Sequence, residues 1–191
     1  MHRAVFLDRD GTLNEDPGYF HEADKLVVLP GVPDALRFLK EEGFLLIVIT
    51  NQGAIGKGMY PVTDMEAVND ALQTYLTPFQ AQIDGFLFCP HVEEENCECR
   101  KPKPGMILAA RDKYDIHLEE SYVVGDKISD LQAGRAAGCR TVLVLTGHGQ
   151  EEQAKARAQK LNVADVVVKD MRRATQAIIT DARQRGLIKH R

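Results

Sequence analysis

The sequence lacks the features that mark several large classes of protein. Its formal net charge is -4 over 191 residues, so there is no electrostatic case for binding nucleic acid. No apolar stretch approaches the roughly 18 residues of a membrane-spanning helix, and the opening residues contain no signal-peptide core. Repeats and low-complexity tracts are also missing. We therefore expect a cytoplasmic protein that acts on a small molecule, with neither a nucleic acid nor a membrane as partner.

The composition is that of an ordinary globular protein, with 44% hydrophobic and 27% charged residues. A chain of this length fits one domain and can bury a substantial core. We expect a single domain over residues 1–191 with a small inserted loop at residues 89–99, and we expect a monomer.

The most informative stretch lies near the start of the chain. Ala4 to Leu7 is a short apolar run that predicts a strand buried on both faces, and it ends in Asp8-Arg9-Asp10-Gly11-Thr12. Asp8 would then lie at the carboxyl edge of a sheet, where open α/β folds bind ligands. The two carboxylates repel each other, and a Mg²⁺ ion would remove that cost. A plainer alternative is an acidic turn in which Gly11 has a positive φ angle.

Further apolar runs alternate with segments of helical periodicity along the rest of the chain. The strands are predicted at residues 44–49, 86–88, 122–125, 141–145 and 166–168, and the helices at residues 31–43, 63–77, 106–114, 131–137, 150–161 and 171–185. Thr63 and Glu66 predict a capping box in the second helix. The alternation predicts an α/β fold with a doubly wound, mainly parallel sheet and helices on both faces.

Polar residues follow four of the predicted strands. They form the pairs Asp8/Asp10, Thr50/Asn51, Arg100/Lys101 and Asp126/Asp130. Each pair alone has a plain explanation as a turn, a solvated basic pair or a helix cap. Because the carboxyl ends of parallel strands share one edge of a sheet, we expect the four pairs to converge there. Together they supply a nucleophile, an acid, a hydroxyl, a cation and a metal ligand.

Three of the four cysteines are clustered within eleven positions. Cys89, His91, Cys97 and Cys99 form a set of three thiolates and one imidazole, which suits a tetrahedral Zn²⁺ ion. The alternative is a group of buried or free thiols. No oxygen ligand is apparent, so we expect a structural zinc site. Since Arg100 and Lys101 follow directly, the zinc would fix the direction in which this basic pair points.

The opening motif resembles the first motif of the haloacid dehalogenase (HAD) phosphatases, and the other three polar pairs match the later motifs in family order. The resemblance implies an HAD-like Rossmannoid fold with a minimal cap. It also implies that Asp8 attacks phosphorus and becomes an aspartyl-phosphate, while Asp10 serves as acid and then base. Thr50 and Lys101 would hold the phosphoryl oxygens. Mg²⁺ would lie between the carboxylates of Asp8 and Asp126 and the backbone carbonyl of Asp10.

Within that superfamily, residues 4 to 146 resemble the heptose bisphosphate phosphatases. The resemblance is carried by Phe6 to Thr12, Gly18-Tyr19, Thr50 to Gln52, Cys89-Pro90-His91 with Cys97 to Pro102, and Gly125-Asp126-Lys127. It implies hydrolysis of the 7-phosphate of a heptose 1,7-bisphosphate. The residues that it places against substrate are Asp16, Pro17, Gly18, Tyr19, Asn51, Gln52, Gly53, Arg100 and Lys127.

Two departures from that family leave the sugar open. Residues 53–58 read Gly-Ala-Ile-Gly-Lys-Gly instead of the usual Ser-Gly-Ile-Ala-Arg-Gly, and the cysteine loop is short, as in the related histidinol-phosphate phosphatases. The alternative enzymes are therefore a histidinol-phosphate phosphatase or a general phosphatase of small phosphomonoesters. A nucleic-acid 3′-phosphatase is disfavoured because the sequence shows no basic face. A zinc-stapled binding module without catalysis is disfavoured because Asp8, Asp10, Lys101 and Asp126 are intact.

The remaining histidines and the fourth cysteine receive no functional role. His2, His21, His117, His148 and His190 have no partners at ligand spacing. Cys139 precedes a buried strand and is expected to be a small core residue.

Overall fold

The computed structural model of the chain describes residues 1–162 and 164–189, so the expectation for His190 lies outside the described residues. The strands are β1 (Arg3–Leu7), β2 (Phe44–Asn51), β3 (Gly85–Cys89), β4 (Tyr122–Gly125), β5 (Arg140–Val144) and β6 (Val166–Val168). The helices are α1 (Val32–Glu41), α2 (Gly53–Gly56), α3 (Val62–Leu76), α4 (Gly105–Tyr114), α5 (Ile128–Ala137), α6 (Gly149–Ala158) and α7 (Met171–Gln184). Short 3₁₀ turns lie at Ala23–Lys25, Thr77–Phe79, Glu93–Glu95 and Leu118–Glu120.

The six strands are all parallel and lie in the order β3-β2-β1-β4-β5-β6. The chain winds outward from β1 to β3 in one direction and from β4 to β6 in the other, which makes the sheet doubly wound. The fold class predicted from the sequence is therefore confirmed. The reversal falls between β1 and β4, and such a crevice at the carboxyl ends of the strands is where open α/β sheets bind ligands.

Both faces of the central strands β1, β2, β4 and β5 are covered, which explains their uninterrupted apolar runs, whereas Val166 and Val167 of the edge strand β6 are exposed. The side chains of α1, α3 and α7 pack on one face, with Leu36, Leu72 and Ile178 buried there. The helices α4 and α5 cover the other face through residues such as Ile107 and Ala133. Strands enclosed in this way have no solvent-facing side, so they read as continuous hydrophobic runs. Among the described residues, none of the helices combines the length and the apolar character needed to span a bilayer.

Helix starts account for most of the differences from the sequence prediction. The predicted capping box of Thr63 and Glu66 is wrong: α3 starts at Val62 after Pro61, with no side-chain cap. Thr63 therefore lies inside the first turn. The short helix α2 was not predicted. Helix α5 starts three residues earlier than predicted, because the Asp130 carboxylate accepts a hydrogen bond from the backbone N–H of Lys127 at 3.0 Å and caps the first turn.

Candidate active site

Three carboxylates converge beyond the ends of β1 and β4. The side chains of Asp8, Asp126 and Asp130 are all buried, and one oxygen from each lies within 4.8 Å of the others. The Oδ2 atom of Asp126 accepts a hydrogen bond from the backbone N–H of His148 at 2.8 Å. Its Oδ1 atom is buried without a hydrogen-bond partner. Burial, together with the carboxylates of Asp8 and Asp130, raises the pKa of Asp126 to about 8.

A single buried lysine offsets part of this negative charge. The ammonium of Lys101 lies 2.8 Å from Asp8 and 2.6 Å from Asp130, and it donates to the carbonyl of Ile49 at 2.8 Å. Burial disfavours its charged form, but Asp130 and Asp8 together raise the pKa of Lys101. Burial and Asp8 raise the pKa of Asp130 to about 6, against the lowering effect of Lys101. One cation therefore serves two carboxylates, whereas Asp126 forms no ion pair within the part of the chain that the structure describes.

Two glycines make room for the Asp126 side chain. Gly11 has a φ angle of +88°, and a Cβ atom there would lie 2.3 Å from Asp126 Oδ2. Gly147 approaches the same oxygen, since its Cβ would also lie 2.3 Å from it. The loops that follow β1 and β5 thus close tightly around one carboxylate. The predicted positive φ angle of Gly11 is confirmed. The glycine lies against the buried Asp126 carboxylate, so it is part of a site and not of a plain acidic turn.

The carboxylate of Asp10 lines the same cleft as Asp8 but lies outside the acidic cluster, and it accepts hydrogen bonds from a network of donors. The guanidinium of the fully buried Arg9 donates to both carboxylate oxygens, each at 3.0 Å. Asn14 Nδ2 donates to Oδ1 and Gln52 Nε2 donates to Oδ2, again at 3.0 Å. Arg9 is itself held by Asn69 Oδ1 at 2.9 Å. Four donors therefore fill the roughly four lone-pair positions of this carboxylate.

A second chain of hydrogen bonds fixes the amide of Gln52. The hydroxyl of Tyr60 donates to Gln52 Oε1 at 2.6 Å, so the amide nitrogen must face Thr50 and Asp10. Gln52 Nε2 lies 2.8 Å from Thr50 Oγ1 and donates to it. Because the Thr50 oxygen accepts this bond, its own proton is available to a ligand in the cleft. The ring of His21 stacks on Tyr60 with a centroid distance of 4.6 Å.

The cysteine loop brings its four predicted ligands together. The Sγ atoms of Cys89, Cys97 and Cys99 lie 3.0 to 3.5 Å apart, and His91 Nδ1 lies 3.6 Å from Cys89 Sγ and 3.3 Å from Cys99 Sγ. A tetrahedral site with Zn–S bonds of about 2.3 Å has edges of roughly 3.8 Å, close to this spacing. The cluster can therefore hold a metal ion.

A cleft of about 330 Å³ opens above Asp8 and Lys101. It is lined by most of the predicted substrate residues, namely Asp16, Gly18, Tyr19, Asn51, Gln52, Gly53, Arg100 and Lys127, whereas Pro17 is not among its lining residues. At its rim, the Lys127 ammonium pairs with Asp16 at 3.1 Å. Burial raises the pKa of Asp16, but Lys127 and the backbone N–H of Gly18 outweigh it, and the pKa is lowered overall.

The predicted residues thus meet at one edge of the sheet, and several of their neighbours were not foreseen. Arg9, Asn69, Tyr60 and Lys57 received no role from the sequence, and no motif marks them; the contacts of Arg9 with Asn69 and of Lys57 with Tyr19 join positions 60 and 38 residues apart. His148 also received no role. Its backbone contacts Asp126, and its Nε2 atom lies 3.4 Å from Asp16 Oδ2.

The acidic cluster fits a hard divalent cation. Asp126 Oδ1 is buried, lacks a partner and lies beside two further carboxylates, which is the oxygen-rich environment that Mg²⁺ prefers. The Asp10 carboxylate is not part of this cluster, and the contribution of the Asp10 backbone carbonyl to a Mg²⁺ site stays a prediction.

Comparison with known proteins places this geometry in context. A family model described as HAD-hydrolase-like matches residues 98–174. The chain is 43% identical to the D-glycero-beta-D-manno-heptose-1,7-bisphosphate 7-phosphatase of Escherichia coli K12 over 183 residues, which are 92% of this chain and 93% of that protein. It is 44% identical to the enzyme of the same name from Yersinia pestis over 163 residues, which are 81% of this chain and 87% of that protein.

Solved structures show the same relationship. The structure of D,D-heptose 1,7-bisphosphate phosphatase from B. bronchiseptica, complexed with magnesium and phosphate, superposes with a TM-score of 0.86 and 30% identity over 94% of this chain and 99% of that one. The enzyme of the same name from Burkholderia thailandensis superposes with a TM-score of 0.70 and 28% identity over 93% of this chain and 99% of that one.

Proposed function

The chain belongs to the family of the D-glycero-beta-D-manno-heptose-1,7-bisphosphate 7-phosphatases, and we propose that it removes the 7-phosphate from that heptose bisphosphate. It is an HAD-type phosphatase and a phosphomonoester hydrolase. The observation that carries the proposal is the buried Asp8 carboxylate, delivered by β1 to the floor of the cleft beside Lys101 and the acidic cluster.

In the proposed reaction, an oxygen of Asp8 attacks phosphorus and the bond between phosphorus and the sugar oxygen breaks. Asp10 gives its proton to the leaving oxygen and then accepts one from the water that hydrolyses the aspartyl-phosphate. Division into two displacements makes each step easier. The hydroxyl of Thr50 and the ammonium of Lys101 hold the phosphoryl oxygens, where negative charge must be stabilised.

The hydrogen bonds of Asp10 set a condition on this mechanism. A carboxylate that accepts four hydrogen bonds has no lone pair left for a proton. Asp10 must therefore lose at least one donor, from Arg9, Asn14 or Gln52, before it can act as an acid. Gln52 lines the cleft and also contacts Thr50, so it is the donor that a bound phosphoryl group can most directly displace.

Two metal sites complete the proposal. Asp8, Asp126 and the backbone carbonyl of Asp10 would hold Mg²⁺, which when bound neutralises charge on the phosphoryl group and on the carboxylates. The cluster of three cysteines and His91 would hold a structural Zn²⁺ ion. The short distances between the four ligand atoms support a metal site in this loop. Three thiolates and one imidazole are a ligand set that suits zinc.

The substrate contacts are proposed for the nine residues that the family resemblance implies. Eight of them line the cleft, and Pro17 does not. A phosphorylated sugar fits a polar cleft with several basic residues. A single domain, a monomer and a cytoplasmic location stay predictions from the sequence.

A panel of substrates tests the proposed function. Phosphate release should be measured with D-glycero-β-D-manno-heptose 1,7-bisphosphate, histidinol phosphate and a 3′-phosphorylated oligonucleotide, each with and without Mg²⁺. We expect kcat/KM to be highest for the heptose bisphosphate and to depend on Mg²⁺. Preference for histidinol phosphate would favour the alternative that the short cysteine loop suggests. Absence of turnover with all three, with the fold intact, would favour a binding module.

A further inference from the structure

Four basic side chains line the cleft, and they differ in how their charge is balanced. These residues are Lys57, Arg100, Lys101 and Lys127. The ammonium of Lys101 has two carboxylate partners, at 2.8 and 2.6 Å, and that of Lys127 has one at 3.1 Å. The floor of the cleft and one side of its rim are therefore neutralised by the protein itself.

The other two cations have only neutral partners. Arg100 Nη1 donates to the carbonyl of His91 at 3.1 Å. Lys57 Nζ donates to the hydroxyl of Tyr19 at 3.1 Å and lies 5.2 Å from the centre of its ring. Across residues 1–162 and 164–189, neither Lys57 nor Arg100 has an ion pair with a carboxylate. The cleft thus holds two positive charges that a ligand can balance.

Both of these cations lie beside the short helix α2. Arg100 approaches its first residue, since a Cβ on Gly53 would lie 3.1 Å from Arg100 Nη1. Lys57 follows its last residue, and about 1.5 Å of rise per residue places it roughly 6 Å further along the axis. Lys57 and Tyr19 are exposed at the rim, whereas Lys101 and Asp8 are buried at the floor. Lys57 is therefore at the rim of the cleft, apart from the buried Lys101 at its floor.

The acidic residues of the cysteine loop do not remove this charge. Glu93 and Glu94 line the cleft, but neither forms an ion pair with Lys57 or Arg100. A phosphate placed against these glutamates would be repelled, while one placed near Lys57 would be attracted. The neutral phenol of Tyr19 is a weaker acceptor for an ammonium than a phosphate, because a phosphate oxygen adds the Coulomb attraction between opposite charges.

We propose that Lys57 is a specificity-determining residue that, together with Arg100, binds the phosphate that stays on the sugar. This inference rests on the proposed function, since it requires a substrate with two phosphates. When such a substrate enters, Lys57 exchanges the hydroxyl of Tyr19 for an oxygen of the second phosphate. The reacting phosphate is held at the floor by Thr50 and Lys101, so Lys57 discriminates between bisphosphates and monophosphates without taking part in the chemistry.

The test compares Lys57→Met with two matched variants. Lys57→Arg keeps the charge. Lys113→Met removes a different lysine that also lies over a tyrosine ring, with its Nζ atom 5.0 Å from the ring centre of Tyr114. Lys113 is on α4 and does not line the cleft. Two quantities should be measured: KM for the heptose bisphosphate, and the Ki of heptose 1-phosphate as an inhibitor of p-nitrophenyl phosphate hydrolysis. The inhibitor keeps the second phosphate, and the reporter substrate has none.

We expect Lys57→Met to raise both this KM and this Ki about tenfold, as for the loss of one charge-assisted hydrogen bond. The effect on kcat/KM for p-nitrophenyl phosphate should be several-fold smaller. Lys57→Arg should restore most of the loss, and Lys113→Met should match wild type. An unchanged Ki, or an equal fall with the reporter substrate, would overturn the proposal. Failure of wild type to hydrolyse the heptose bisphosphate would instead refute the proposed function.

Discussion

Asn51 and Lys101 are joined by two reciprocal hydrogen bonds. The side-chain amide of Asn51 donates to the carbonyl of Lys101 at 3.0 Å, and its oxygen accepts from the Lys101 N–H at 3.1 Å. Asn51 is the last residue of β2, and Lys101 follows the cysteine loop. The lysine backbone is therefore anchored to the rigid sheet on one side and to the proposed metal cluster on the other. Asn51, which the family resemblance places against substrate, has its side chain engaged in this anchor.

Replacement of Asp8 by Asn tests the proposed nucleophile. The amide keeps the shape of the side chain but cannot attack phosphorus, so kcat should fall by at least about a thousandfold, as for other lost nucleophiles. The fold should survive, because Lys101 keeps Asp130 as a counter-ion at 2.6 Å. Phosphate release and circular dichroism would measure the two effects. Turnover above a tenth of the wild-type value would rule out an aspartyl-phosphate on Asp8.

Loss of one cysteine tests the link between the proposed zinc site and Lys101. Metal analysis should find about one Zn²⁺ per chain in wild type and none in Cys97→Ser. We expect faster hydrogen exchange in residues 89–101 and a fall in kcat/KM on the order of tenfold to a hundredfold, because a small displacement of a positioned group is costly. The loss should be incomplete because Asn51 still holds the Lys101 backbone.

The control for this experiment is Cys139→Ala, since Cys139 is a buried core residue outside the cluster. It should keep its zinc. A Cys97→Ser protein without zinc but with wild-type kinetics would show that the loop and the phosphate site are independent.

The change Tyr60→Phe tests the network that orients Gln52. The ring would remain stacked on His21, but Gln52 Oε1 would lose its 2.6 Å donor. The amide could then turn over and stop donating to Thr50 and Asp10, so we expect kcat to fall about tenfold. Tyr75→Phe is a suitable control because Tyr75 is exposed on α3. Equal kcat values for the two variants would contradict a positioning role for Tyr60.

A substitution of Asp126 separates stability from metal binding. Because Asp126 is buried beside two other carboxylates, Asp126→Asn should raise the free energy of unfolding in EDTA by about 1 kcal/mol or more. Wild type should gain thermal stability when Mg²⁺ is added, and the variant should lose both that gain and its activity. Thermal unfolding with and without Mg²⁺ would measure this. A variant less stable than wild type in EDTA would show that Asp126 is not strained by its neighbours.

The sequence predicts the parts of this molecule that depend on local pattern. The run from Ala4 to Leu7 is apolar throughout because β1 is buried between two layers of helices. The carboxyl-edge rule then brings Asp8, Thr50, Lys101 and Asp126 together without any knowledge of side-chain contacts. The spacing of the cysteines is likewise enough to predict that the four ligands meet. Cys89 ends β3, and the short loop that follows brings the other three ligands back to it.

Other features depend on contacts that no local pattern encodes. Arg9 is an arginine with a fully buried side chain, and its partner Asn69 lies 60 positions away on α3. Nothing in the sequence around Tyr60 distinguishes it from an ordinary buried aromatic residue, and its role depends on the hydrogen bond from its hydroxyl to Gln52. The capping box at Thr63 fails for the opposite reason: the local pattern is present, but Pro61 is the N-cap and the helix starts at Val62, so Thr63 already lies in the first turn.

The separation between the floor of the cleft and its rim has a consequence for how this enzyme can change. The floor is built from Asp8 and Thr50 at strand ends and from Lys101, whose backbone is tied to the end of β2, whereas Tyr19 lies in a loop and Lys57 follows a helix of four residues. Substitutions at the rim can therefore alter which phosphorylated compound is accepted while the phosphoryl-transfer machinery stays intact. Related chains, and variants selected in the laboratory, should acquire new substrates through residues 16–21, 53–58 and 92–96.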